Sequence, residues 1–222
     1  MTAQLYVFDL DYTLLAADSS TCWCRYLAEN RLVSDPAGFL AREKELMEAY
    51  DRGQMDVHDY IAFSYGAVKD KTAAELDALC KDYVQSTLPE LMFPQAKALV
   101  SKLLEAGEHC VVISASAAMI VRQAAALFGL KDVLAVECEI KDGYYTGNIS
   151  GLPPFKAGKV DALKAYQQKH GLEKAKVHFY TDSINDLPLC LAADQVSVVN
   201  PGAALLKEAQ QRGFEVLHWT LH

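Results

Sequence analysis

The stretch Val7-Phe8-Asp9-Leu10-Asp11-Tyr12-Thr13-Leu14 decides how this chain is read. The apolar run from Leu5 to Phe8 reads as a buried strand, and two carboxylates two residues apart close it. Strand side chains alternate faces, so Asp9 and Asp11 share a face if the strand continues. At the carboxyl end of a parallel strand, where α/β proteins bind ligands, two anions then stand side by side in one crevice. Close carboxylates repel unless a cation or a shared proton relieves them, so the pair points to a divalent metal or an acid/base role. The alternative is a polar strand end whose aspartates cap a turn.

A chain of 222 residues can bury a large core, as one domain or as a domain with an insertion. With 51% hydrophobic and 23% charged residues it has the composition of a globular protein rather than a disordered one. Its 21 Lys+Arg against 29 Asp+Glu give a formal charge of -8, and no basic block of the kind that grips nucleic acid occurs. That balance favours a small-molecule enzyme in which a metal and a lysine handle any anionic substrate. No apolar run approaches membrane-spanning length. Met1-Thr2-Ala3-Gln4 is expected to enter the first strand directly, without a leader segment. Six cysteines lie scattered, with one C-x-C at Cys22 and Cys24 and no C-x-x-C, which fits reduced thiols in a cytoplasmic protein and argues against a zinc site.

Outward from the first strand, the pattern from Ser19 to about Leu88 is helical throughout, with apolar residues at three- and four-residue steps. Asp35-Pro36 starts one helix, Asp56 caps another, and Arg52-Gly53 ends the one before it. This stretch reads as a small helical bundle of its own. After Pro94, helix and strand alternate: helix 95–105, strand 109–114, helix 117–128, a hairpin of strands 133–140 and 144–149 turning through Lys141-Asp142-Gly143, then helix 158–170, strand 176–180, helix 186–193, strand 195–199, helix 203–212 and strand 214–218. The expected fold is therefore α/β, a Rossmann-like, mostly parallel sheet with helices on both faces. The first strand belongs to that sheet, so residues 1–14 and 94–222 form the core and residues 15–93 a helical insertion, hinged at Leu15–Asp18 and Leu88–Pro94.

Three further pieces of chemistry fall at strand ends or helix starts. Ser114 ends the run Val111-Val112-Ile113, and with Ala115-Ser116 before the next helix it offers a hydroxyl and free N–H groups to an anion; a simple helix cap is the competing reading. Lys159 sits in the first turn of a helix, where a lysine is ordinarily solvated. Tyr180-Thr181-Asp182-Ser183-Ile184-Asn185-Asp186 places two acids four apart after an apolar strand, which also fits a capped loop.

Taken together these residues resemble the haloacid dehalogenase-like hydrolase superfamily. Phe8 to Leu14 matches its D-x-D-x-T motif, Ile113-Ser114 its second motif, Lys159 its lysine, and Asp182 to Asp186 its acidic fourth motif. The helical insertion matches the family's C1 cap, and with the hairpin before Lys159 the chain is similar to subfamily IB, the phosphoserine-phosphatase-like branch. Thr181 departs from the glycine many relatives have before the aspartate. The resemblance implies a phosphatase in which Asp9 attacks phosphorus and forms an aspartyl-phosphate, while Asp11 protonates the leaving alkoxide and then deprotonates water. It implies Mg2+ held by Asp9, the Asp11 carbonyl and Asp182, with Asp186 steadying the site from behind or through a water. It also implies phosphate contacts from Ser114, Ala115 and Lys159, with Thr13 fixing the loop beside the phosphate. The cap would close over the substrate and exclude water.

The same relatives carry an acid facing the substrate seven residues after the second aspartate, where this chain has Asp18, which could equally cap a helix. They also carry a cap arginine for the substrate carboxylate, and here Phe63-Ser64-Tyr65 stands in that region. That combination fits a small phosphorylated amino alcohol such as histidinol phosphate better than phosphoserine, which stays as the alternative. Trp23, Tyr50 and Tyr65 could line such a pocket or fill a core. Two readings of another class remain: a phospho-accepting receiver module, which lacks the D-x-D and the insertion, and an inactive binding relative, against which the intact Asp9, Asp11, Lys159 and Asp182 set argues. The six histidines show no ligand spacing.

Overall fold

The structure, a computed structural model, describes residues 3–222. The expectation that the chain starts without a leader falls on Met1 and Thr2, outside the described residues. Strand β1 (Gln4–Phe8) is followed by helices α1 (Ser19–Glu29), α2 (Pro36–Asp51), α3 (Val57–Gly66) and α4 (Ala73–Thr87), and by a 3-10 turn at Leu88–Leu91. Then come α5 (Pro94–Glu105), β2 (His109–Ala117), α6 (Ala118–Leu127), β3 (Asp132–Val136), β4 (Cys138–Lys141) and β5 (Tyr144–Ile149). The remainder is α7 (Gly158–His170), β6 (Lys176–Thr181), a 3-10 turn at Ile184–Asp186, α8 (Leu187–Ala192), β7 (Gln195–Val199), α9 (Ala203–Arg212) and β8 (Glu215–Leu217). None of the described helices is long and apolar enough to cross a membrane.

Six strands form one sheet in the order β3-β2-β1-β6-β7-β8, and every neighbouring pair is parallel. The alternation of side chains sorts the core into two layers. Leu5 and Val7 lie with Val111, Ile113, Phe179 and Val198 on one face, whereas Phe8 lies with Cys110, Val112 and Tyr180 on the other. Strands buried on both faces read as near-continuous apolar runs, and helices must cover each side. This is the α/β, Rossmann-like fold expected from the sequence.

Local chemistry accounts for the helix starts. Asp35 accepts from the Gly38 N–H at 3.0 Å with Pro36 in the first turn, and Asp56 accepts from the His58 N–H at 2.8 Å. Thr72 and Glu75 close a reciprocal cap on α4. The β4–β5 turn needs two residues at positive φ, and Asp142 (53°) and Gly143 (83°) supply them.

Two expectations are corrected. The run 133–140 is two strands, not one: β3 joins the main sheet beside β2, and only β4 pairs with β5. Strand β2 does not stop at Ser114 but resumes pairing at Ala117↔Val136, after a register shift beyond Ile113. That irregularity frees residues 114–116 from the β3 ladder at the carboxyl end of β2.

The four helices after β1 also do not keep a core to themselves. Leu14, Leu27, Tyr83 and Leu88 belong to one apolar cluster with Val112, Ile120 and Ala124, and α4 packs on α6 while α3 packs on β5. These helices therefore bury part of their apolar surface against α6 and the sheet layer rather than only against each other. The chain leaves and returns along paired segments, with the Ala16 N–H donating to the Leu91 carbonyl at 2.7 Å and the Phe93 N–H to the Leu14 carbonyl at 3.1 Å.

Candidate active site

The strand order reverses at β1, which has β2 on one side and β6 on the other. Doubly wound sheets open a crevice at the carboxyl ends of the strands flanking such a point. Asp9 follows β1 directly and extends its pairing by one bond, its N–H donating to the Tyr180 carbonyl at 2.9 Å. A cavity of about 490 Å³ opens there, and Asp9, Asp11, Ser114, Ala115, Lys159 and Asp182 all line it. Three strand ends and one helix start thus converge on a single space.

Lys159 is only 3% exposed, far from the solvated lysine that its place on a helix would suggest. Its ammonium donates to Asp9 Oδ1 at 2.9 Å and to Asp186 Oδ2 at 2.7 Å. Gly158 lets α7 start this close: a Cβ there would collide with the Pro153 carbonyl oxygen. Asp186 also accepts from the Thr181 hydroxyl at 2.7 Å, and that hydroxyl in turn accepts from the Ser183 N–H at 3.2 Å. Thr181, the departure from the usual glycine, therefore ties the loop to the acid that anchors the lysine.

One ammonium does not balance the acids around it. Burial, then the neighbouring carboxylates Asp186 and Asp11, push Asp9 up to about 7 although Lys159 pulls the other way. Burial followed by Asp9 and Asp186 drives Asp182 well above the carboxylate range. Burial alone would lower Lys159, but Asp186 and Asp9 more than reverse this and hold it firmly protonated. Among the described residues, the side-chain partner of the Asp182 carboxylate is the Thr13 hydroxyl, at a long 3.5 Å. Such an excess of buried negative charge fits a divalent cation. Among the described residues no three acidic, histidine or cysteine side chains cluster tightly enough to hold an ion by themselves. An ion here would have two carboxylates, Asp9 and Asp182, with the Asp11 carbonyl, and would take its other oxygens from water or phosphate. Mg2+ prefers that kind of set.

Asp11 is held differently. Its Oδ1 accepts from the Ser19 N–H at 2.7 Å and its Oδ2 from the Ser116 hydroxyl at 2.7 Å, and Ser116 itself accepts from the Ser20 hydroxyl at 3.1 Å. Burial and the charge of Asp18 push Asp11 up to about 7, against the pull of the Ser19 and Ser116 bonds. A carboxyl poised near neutrality can both give and take a proton. The first turn of α1 and the irregular end of β2 thus fix its orientation together. Ser116 carries no signal of its own in the sequence, beyond standing two residues from Ser114; it also donates its N–H to Ser114 Oγ at 3.1 Å.

The remaining predicted residues divide. Asp18 accepts from the Thr21 N–H at 2.7 Å as the α1 cap, and it also lines the cavity. Tyr50 lines the cavity too. Trp23 does not: it is buried against Tyr26 and Tyr83, and its place among substrate-selecting residues is corrected to the core. Tyr65 likewise packs on Tyr145 outside the cavity. Thr13, grouped with the phosphate contacts, is fully buried and stands behind Asp182 rather than facing the cavity. Glu43, on α2, lines the cavity although nothing in the sequence pattern marks it out.

A protein-family model described as haloacid dehalogenase-like hydrolase matches residues 6–190. A histidinol-phosphatase of Neisseria meningitidis is 32% identical over 220 residues, covering 97% of this chain and 99% of the relative. A crystal structure of a protein of unknown function from Bordetella pertussis Tohama I superposes with a TM-score of 0.91 at 33% identity over the full length of both chains. A substrate-bound phosphoserine phosphatase shares the fold at a TM-score of 0.68 and 18% identity, over 96% of this chain and 99% of its own. With a family match over most of the chain and a relative aligned from end to end, this chain is an enzyme of the haloacid dehalogenase-like hydrolase family.

Proposed function

We propose that this enzyme is a Mg2+-dependent phosphomonoester hydrolase acting on a small amino-alcohol phosphate, with histidinol phosphate as the leading candidate. The observation that carries the reading is the convergence of Asp9, Asp182 and Lys159 at the switch point, with Asp11 held apart in its own hydrogen-bond frame. Asp9 attacks phosphorus in line and the ester oxygen departs, leaving an aspartyl-phosphate. Asp11 gives its proton to that departing oxygen and later takes one from the water that releases phosphate. Lys159 offsets charge on Asp9 and the phosphoryl oxygens, and Ser114 with the Ala115 N–H receives the others. A Mg2+ ion held by Asp9, Asp182 and the Asp11 carbonyl would supply further charge stabilisation at phosphate. Helices α1 to α4 (residues 15–93) serve as the cap over this chemistry. Six free thiols, four of them buried, fit work in a reducing cytoplasm.

Substrate choice follows from what lines the rest of the cavity. Asp18, Glu43 and Glu48 stand on the helical side, and among the described residues no arginine lines the cavity to receive a carboxylate. That pattern favours an ammonium group over an amino acid, and the histidinol-phosphatase relative supports the same class. Phosphoserine remains the alternative substrate.

Phosphate release from an aryl ester is expected to need Mg2+ and to fall about a thousandfold in excess chelator, in line with several kcal/mol of electrostatic stabilisation. Undiminished release from protein shown metal-free by elemental analysis would remove the metal from the mechanism. In Asp18→Ala, the preference for histidinol phosphate over the aryl ester, taken as a ratio of kcat/KM, should drop about ten- to a hundredfold. An unchanged ratio would leave Asp18 as a helix cap alone.

A further inference from the structure

Thr21 joins two acids on the helical wall of the cavity. Its N–H donates to Asp18 Oδ1 at 2.7 Å and its hydroxyl to Glu43 Oε1 at 2.6 Å. Asp18 precedes α1 and Glu43 belongs to α2, so the two carboxylates approach one residue from separate elements. Both line the same space as Asp9, and Met47, Met55, Val57 and Tyr60 supply an apolar wall beside them. Among the described residues neither acid has a lysine, arginine or histidine within ion-pair distance. Of the two lysines lining the cavity, Lys159 is engaged at the far end by Asp9 and Asp186. Lys44 is exposed and faces Glu48 on its own helix at 4.0 Å.

Glu43 is only 5% exposed. Its Oε1 takes the Thr21 hydroxyl, and its other oxygen, which is not a sealed buried atom, is left to the cavity that Glu43 lines, where a donor or cation can meet it. Burial pushes its carboxyl up, while the Thr21 hydroxyl and the charge of Arg25 pull it down. Asp18 is raised to about 6, by burial first, with Glu43 contributing. Two acids facing one cavity therefore do more than one ammonium group requires.

We infer that Glu43 is a specificity-determining residue: it receives a second basic nitrogen of the substrate, so that Asp18 and Glu43 together select an amino-alcohol phosphate carrying a primary ammonium and a further N–H group, such as an imidazole, a few bonds away. This rests on the phosphatase reading and narrows it. A planar heterocycle reaches Glu43 along the apolar wall while Asp18 holds the ammonium and the phosphate lies at Asp9. A substrate with the ammonium alone satisfies Asp18 and leaves Glu43 unpaired.

The test compares histidinol phosphate, ethanolamine phosphate and an aryl phosphate in wild type and in Glu43→Gln, which keeps an acceptor for the Thr21 hydroxyl. The wild type should prefer histidinol phosphate to ethanolamine phosphate. Glu43→Gln should cut that kcat/KM ratio about tenfold or more, mostly through KM, as expected for one charge-assisted hydrogen bond. Free histidinol should inhibit aryl phosphate hydrolysis by the wild type at least about tenfold more strongly than ethanolamine, a comparison that needs no variant. An unchanged ratio, an equal fractional loss on all three esters, or equal inhibition by the two alcohols would each overturn the assignment and leave Glu43 as a tether between α1 and α2. Failure of the wild type to release phosphate from any ester would instead overturn the phosphatase reading itself.

Discussion

Asp9→Asn should lower phosphate release by about four orders of magnitude or more, and at pH 7.5 it should raise the melting temperature of the metal-free protein. The first effect follows from losing the nucleophile, since an amide cannot form the aspartyl-phosphate. The second follows from crowding. Asp9 is raised to about 7 because burial and neighbouring acids outweigh Lys159, so its ionised form costs folding free energy. An amide keeps an acceptor for the lysine and removes that charge. Each kcal/mol so recovered is worth about 2–4 °C in a chain of this size.

The same crowding sets the pH dependence of the metal-free wild type. Asp9 and Asp11 both hold protons to about 7 when folded, against an ordinary value of 3.8. Between those values the folded chain binds more protons than the unfolded one, so stability falls as pH rises through the window. Metal-free protein should therefore melt higher at pH 5.5 than at pH 7.5, and Mg2+ should raise the melting temperature more at pH 7.5. Calorimetry at both values, with and without Mg2+, measures this; a metal-free protein that gains stability from pH 5.5 to 7.5 would contradict the charge excess. Asp11→Asn should also lose turnover while keeping the Mg2+ shift, because the main-chain carbonyl is untouched. Either variant within tenfold of wild-type turnover would overturn the role given to it.

What could be read from residues alone was the chemistry that sits at the ends of apolar runs. Asp9, Ser114 and Asp182 each close such a run, and a parallel sheet then brings the ends together without any need to know the packing. Lys159 was legible only through its order in the motif, because a lysine in a first helical turn looks solvated until α7 is seen pressed against Pro153. Trp23 reads from the sequence as pocket lining or as core, because helical periodicity cannot say which side of α1 meets the cavity and which meets Tyr83. Glu43 and Ser116 left no trace in the pattern for the same reason. One depends on how α2 leans on α1, the other on a register shift in β2, and both are tertiary facts. The missed break between β3 and β4 is of this kind too: an unbroken run of strand-forming residues does not tell which sheet each half joins.

Lys159→Met should abolish most turnover and destabilise the fold, and a second substitution should separate the two effects. Among the described residues, this ammonium is the one cation bonded to Asp9 and Asp186, all three being buried. Removing one member of a buried ion cluster leaves uncompensated charge, at a cost of about 3–5 kcal/mol, or roughly 6–20 °C in melting temperature. Loss of a preorganised cation at the phosphoryl group costs about 10²–10³ in kcat. Adding Asp186→Asn removes the anion that the lysine had held, and it should return a large part of the lost stability, as replacing both partners of a buried pair commonly does. Turnover should not return with it, because no cation then faces Asp9 from α7. Recovery of activity alongside stability would mean that Lys159 matters only as a strut. A single variant as stable as wild type would mean that Asp9 and Asp186 share a proton in its place, and that the charge excess which argues for a metal is smaller than the geometry implies.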